Sequence, residues 1–76
     1  MIVITKDGIA KYAFENGVYV VSTEINILTP DFIVGDLNND NAEIYFAIEN
    51  VPEDFTGDKY LFDGQEFTLN PGFTDV

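Results

Sequence analysis

The chain has no cysteine and no histidine. The first absence excludes disulfides, thiolate metal sites and cysteine nucleophiles, and the second removes the commonest zinc ligand and the commonest general base. Cations are scarce as well: Lys6, Lys11 and Lys59 face fourteen acidic residues, there is no arginine, and the formal charge is −11. Binding to nucleic acid or to an anionic membrane is therefore not expected, and partners should present basic or apolar surfaces. Long apolar runs are also missing. The longest, Ile44 to Ile48, is far too short to cross a bilayer, and no signal-peptide pattern opens the chain. The sequence reads as a soluble protein with Met1 as its true start.

What is present points to one small β domain over residues 1–76. A chain of this size removes only roughly 60–65% of its unfolded surface from water, so oligomerisation, ligand binding or very regular packing must supply stability. The 46% hydrophobic content and eleven aromatic residues, four Tyr and seven Phe, place it outside the disordered class.

Periodicity predicts strands nearly throughout. Ile2 to Thr5 is short and β-branched, "KDG" at 6–8 is a turn, and "IAKYAF" at 9–14 is a second strand. Asn16-Gly17 within "ENG" at 15–17 accepts the positive φ angles of a type I′ turn, so strands near 10–14 and 18–22 are expected to form a hairpin. "TEINIL" at 23–28 alternates, with Ile25 and Ile27 on one face, and stops at Pro30; a turn and a short strand, Phe32 to Val34, follow. The strongest alternation lies in "EIYFAIE", 43–49, where Ile44, Phe46 and Ile48 share a face, and this segment is the candidate central strand. Residues 50–58 are a loop, and a last hairpin joins "KYLF" to "QEFTL" through Asp63-Gly64. The end, 70–76, lacks a core pattern and is expected to be flexible or to dock on a partner. The expected fold is all-β, a small antiparallel sandwich or partly open barrel of about six to eight short strands.

One segment carries a motif. In "GDLNNDNAE", 35–43, Asp36, Asn38 and Asp40 alternate and could aim three side-chain oxygens at a calcium ion. An EF-hand numbering from Asp36 puts Ala47 where a bidentate Glu belongs and Asn41 where Gly belongs. The plainer reading is a turn, because Asn and Asp tolerate left-handed conformations and hydrogen-bond their own backbone. For catalysis the nearest carboxylate pairs are Glu53-Asp54 and Asp63 with Glu66, all in loops or turns. No nucleophile, phosphate loop or general base accompanies them, so a non-enzymatic protein is expected.

Aromatics exceed what one small core can hold. Tyr45, Tyr60, Phe62 and Phe67 are therefore candidates for a subunit interface, where such side chains are enriched.

Two resemblances add to this reading. "FIVGDLNNDNAEI", 32–44, resembles the calcium loop of integrin-type β-propeller repeats, and that resemblance implies Asp36, Asn38 and Asp40 as ligands with Glu43 as a candidate fourth; it departs from the pattern at Asn41, where the family has Gly, and at Glu43, one place before the family's final Asp. The stretch "VPEDFTGDKYLFDGQEFTLNP", 51–71, resembles the ends of small accessory proteins of tailed, often marine, bacteriophages through Pro52, Phe55, Gly57, Lys59, Tyr60, Phe62, Gly64, Phe67 and Asn70-Pro71. That resemblance implies a virion- or tail-associated protein, located in the virion or the host cytoplasm. The leading expectation is thus a self-associating interaction module contacting other phage or host proteins. An acidic DNA mimic that occupies a nucleic-acid-binding protein is the alternative, and a calcium-binding β-module the third.

Overall fold

The computed structural model describes residues 1–73. Among them eight strands and no helix are found: β1 (Ile2–Lys6), β2 (Ile9–Phe14), β3 (Val21–Ser22), β4 (Ile27–Leu28), β5 (Ile33–Val34), β6 (Glu43–Tyr45), β7 (Tyr60–Phe62) and β8 (Phe67–Leu69). They form an antiparallel five-stranded sheet, ordered β6-β1-β2-β7-β8 and curled into a half-barrel, and a three-stranded meander, β3-β4-β5. The all-β expectation is met.

The centre of the fold is β1. Its residues Ile2 to Thr5 are all buried, because one face packs toward the meander and the other toward the concave side of the half-barrel. Ile4 joins Ile27, Val34 and Leu37 in the first core, with Tyr12, Phe14 and Ile44 against it. Val3 joins Ala10 and Phe62 in the second, with Tyr45, Ile48, Val51, Phe55 and Phe67 around it. Alternate residues of one strand thus feed two cores, which explains why "IVIT" is continuously apolar or β-branched.

The β1–β2 hairpin turns at Asp7-Gly8, with φ of 55° and 79°. Positive φ at both central residues is the type I′ pattern, whose twist matches antiparallel strands. A register shift between Ile4 and Thr5 leaves Lys11 as the extra residue of β2.

Three sequence expectations are corrected. Asn16-Gly17 does make a turn, closed by the Val18 N–H donating to the Glu15 carbonyl at 3.3 Å, but only Gly17 takes a positive φ, 93°. A turn of that hand splays its flanking chains, so the segment carries the chain from one sheet to the other and 15–17 is no hairpin. "TEINIL" is not one strand. Thr23 and Asn26 close a turn (Thr23 N–H to Asn26 O, 2.8 Å), which exposes Ile25 while Ile27 is fully buried. Finally, 43–49 is an edge strand that ends at Tyr45; Ala47 adopts φ 58°, Phe46 is exposed, and Ile44 and Ile48 enter different cores.

The last hairpin pairs Phe62 with Phe67. Gly64 alone has positive φ there, 101°, at the first central position of a turn between Asp63 and Glu66, a type II′ pattern with Gly64-Gln65 at its centre. Of the expected tail, Asn70 is fixed by its backbone N–H to the Lys59 carbonyl (2.9 Å) and by its side-chain amide to the Asp58 carbonyl (2.9 Å). Residues 74–76 lie outside the described residues.

Candidate interaction surface

The Asx-rich loop is satisfied from within. The Asn38 Oδ1 accepts the backbone N–H groups of Asp40 (2.9 Å) and Asn41 (3.1 Å), while Asn41 Oδ1 accepts the Asn38 N–H (2.8 Å) and its amide donates to the Asp36 carbonyl (3.1 Å). Asn38 thereby turns its oxygen inward to cap the loop, which is the turn chemistry of Asx residues. Glu43 lies on β6 and accepts the Tyr45 hydroxyl. Among the described residues no three acidic side chains converge where an ion could sit. The side chains of Asp36, Asn38, Asp40 and Glu43 are thus not brought together: Asn38 spends its oxygen on the loop and Glu43 pairs with Tyr45.

Nearby, Asp7, Asp40, Glu43 and Asp63 line a cleft of about 410 Å³ whose floor includes Thr5, Tyr45 and Phe62. The Tyr45 hydroxyl is pushed above its usual value, first by its hydrogen bond to Glu43, then by burial and by the Glu43 charge. Asp63 is held below the usual carboxylate range by the N–H groups of Glu66 and Gln65, both 2.8 Å from its Oδ1. Asp54 is lowered by Lys59 (2.8 Å) and the Tyr60 hydroxyl (2.7 Å), and the same bond raises Tyr60.

The four aromatics assigned to an interface are used inside one chain. Phe62 is a core residue, 2% exposed, and Phe67 stacks on it at 4.2 Å between centroids. Tyr45 stands edge-on to Phe62, and Tyr60 edge-on to Phe67 at 6.2 Å. The curl of the half-barrel accounts for this, because it folds β6 and the β7–β8 hairpin toward each other around a second core that a flat sheet would lack. Phe62 as an interface residue is thus corrected, and Tyr45 faces inward on the concave side.

The exposed apolar surface lies elsewhere, on the meander. Val21 pairs with Leu28 and Leu28 with Ile33, so these three side chains form a row on one face. Ile27 and Val34 point to the opposite face and are buried. The row itself is open: Val21 is 50% exposed, Ile33 62%, and Leu28 half-buried. Its two turns are built alike. Thr23 Oγ1 accepts the Asn26 N–H at 3.0 Å, and Thr29 Oγ1 accepts the Phe32 N–H at 3.1 Å. Each threonine stops a strand after two residues and sends the chain back. Of the fourteen acidic residues only Glu24 and Asp31 fall between 16 and 35, one in each turn, which leaves the middle of the row uncharged.

Sequence periodicity misses this row because its members stand on three strands of two residues each. The signals that mark it are two threonines six apart, each followed by a tight turn, and the local depletion of charge. Compared with known protein families, curated proteins and solved structures, the chain gives no significant match.

Proposed function

We propose that the protein is a non-enzymatic interaction module that self-associates through the outer face of the β3-β4-β5 meander. The supporting observation is the Val21–Leu28–Ile33 row, apolar on its outer side as well as behind it. Strands of two residues make a marginal sheet, and covering the open face of such a sheet gains hydrophobic stabilisation where it is most needed. A second copy is the occupant that the charge pattern favours. Two chains of charge −11 repel wherever their loops meet, yet face-to-face packing of the uncharged row keeps those loops at the rim, and charge depletion at the centre is the compositional mark of interfaces. A symmetric dimer would pair this patch with itself. The setting in a bacteriophage virion or tail rests on the sequence resemblance over 51–71.

Sedimentation equilibrium of the purified protein tests the reading. The wild type should sediment as a defined oligomer and Ile33→Glu as a folded monomer. A wild-type monomer at all accessible concentrations, or an Ile33→Glu oligomer, would overturn it.

The acidic-mimic reading has an observation of its own in the four carboxylates around the cleft at Tyr45. They surround a concavity, whereas mimicry of a phosphate backbone calls for an extended stripe, so self-association is preferred.

A further inference from the structure

We propose that Asn16 is a site of spontaneous deamidation, distinct from every other asparagine of the chain. The reaction needs a free side-chain amide, a backbone N–H on the following residue that is not engaged, and a following residue small enough to let that nitrogen approach. Asn16 and Gly17 are both exposed, and among the described residues no hydrogen bond involves the Asn16 amide. Gly17 has no heavy atom within 4 Å of the position of a Cβ, the turn is closed by the Val18 N–H, and the Gly17 N–H itself enters no hydrogen bond among the described residues.

The other asparagines fail one condition or another. Asn26, Asn38 and Asn41 hold backbone or threonine groups through their side-chain oxygens. The amides of Asn50 and Asn70 donate to the carbonyls of Gln65 and Asp58. Proline follows Asn70, so the attacking N–H is absent there. Asn39 is exposed, but the N–H of Asp40 that would attack it is held by Asn38 Oδ1 at 2.9 Å.

In the reaction the Gly17 nitrogen gives up its proton to solvent and bonds to Asn16 Cγ. The Cγ–Nδ2 bond breaks, the departing nitrogen takes a proton back from solvent, and ammonia leaves. Water then opens the cyclic imide at either carbonyl, giving aspartate or isoaspartate, with no change of oxidation state. Either product adds a negative charge, and isoaspartate also inserts a methylene into the backbone. The position matters because residues 15–18 carry the chain from the half-barrel to the meander.

Incubation of the folded protein in mildly alkaline buffer, followed by peptide mapping with mass spectrometry and isoaspartyl methyltransferase labelling, tests the proposal. Conversion should map to Asn16 ahead of all other asparagines, and Asn16→Gln should remove that first event while leaving the far-ultraviolet spectrum unchanged. Loss of the amide first at Asn39 or another asparagine, or an Asn16 that stays intact in the folded chain while a peptide of residues 12–21 converts, would overturn it.

Discussion

The Tyr45 ring stands edge-on to Phe62, with centroids 5.1 Å apart and planes at 85°, and so joins β6, one edge of the half-barrel, to the β7–β8 hairpin at the other. Phe62→Ala should cost about 3–5 kcal/mol, as expected for a buried phenylalanine that leaves a cavity. Urea unfolding measures it. An unchanged midpoint with a reduced oligomer mass would instead make Phe62 an interface residue.

Ala47 carries a left-handed φ of 58° and is exposed, so its methyl group strains the backbone without packing in return. Ala47→Gly should raise stability by up to about 1 kcal/mol, since the left-handed cost of an L-residue outweighs the added chain entropy of glycine. A lower melting temperature would contradict this.

Gly57 and Gly17 separate contact from conformation. A Cβ at Gly57 would lie 2.9 Å from the Lys11 backbone carbonyl oxygen, which cannot swing aside, whereas at Gly17 only the positive φ opposes substitution. Gly57→Ala should therefore cost about 1–3 kcal/mol by overpacking, and Gly17→Ala about 1 kcal/mol. Equal losses in denaturant titrations would show that the Gly57 approach relaxes freely.

Stability should fall at both ends of the pH range. Asp54 and Asp63 have folded pKa values below the ordinary 3.8, so their contribution is present above that value and is lost as pH falls through the lowered one. Tyr45 and Tyr60 are raised above 10.0, so theirs is present below that value and is lost as pH rises through the raised one. Melting temperature against pH checks both limbs. Asp63→Asn, which keeps an acceptor for the Gln65 and Glu66 N–H groups, should flatten the acid limb, and Tyr45→Phe the alkaline one.

Asn38→Ala should lower stability by about 1 kcal/mol, because two backbone N–H groups lose their acceptor. The loss should be the same with and without millimolar calcium. A calcium-dependent rise in melting temperature that disappears in this variant would restore the ion site.

Local chemistry was the most legible part of the chain. "KDG" gives the first turn, the aromatic run around Asp63-Gly64 gives the last hairpin, and the Asx residues of 36–41 give a turn. Each depends on residues within a few positions of one another. The candidate surface was much less legible. Ile25 and Ile27 fit one face of a strand by alternation, and the Thr23 hydroxyl overrules that pattern by claiming the backbone of residues 25 and 26. The same competition is invisible to a count of apolar positions.

The sequence by itself determined the all-β class, the exclusion of thiolate and histidine chemistry, the strong negative charge and most of the turns, because these follow from residue type and short-range backbone preference. Only the tertiary structure decided which strand is central and which aromatics are spent. "EIYFAIE" alternates better than "IVIT", yet β1 is the buried interior strand because partners on both of its edges and cores on both of its faces claim it, while "EIYFAIE" lies at the edge beside it. Tyr45 and Phe62 become inner residues for the same reason, and Val21, Leu28 and Ile33 become the open row only when the three two-residue strands pair and the β1 core covers their other face. Burial is settled between segments far apart in the chain, and no single segment carries that information.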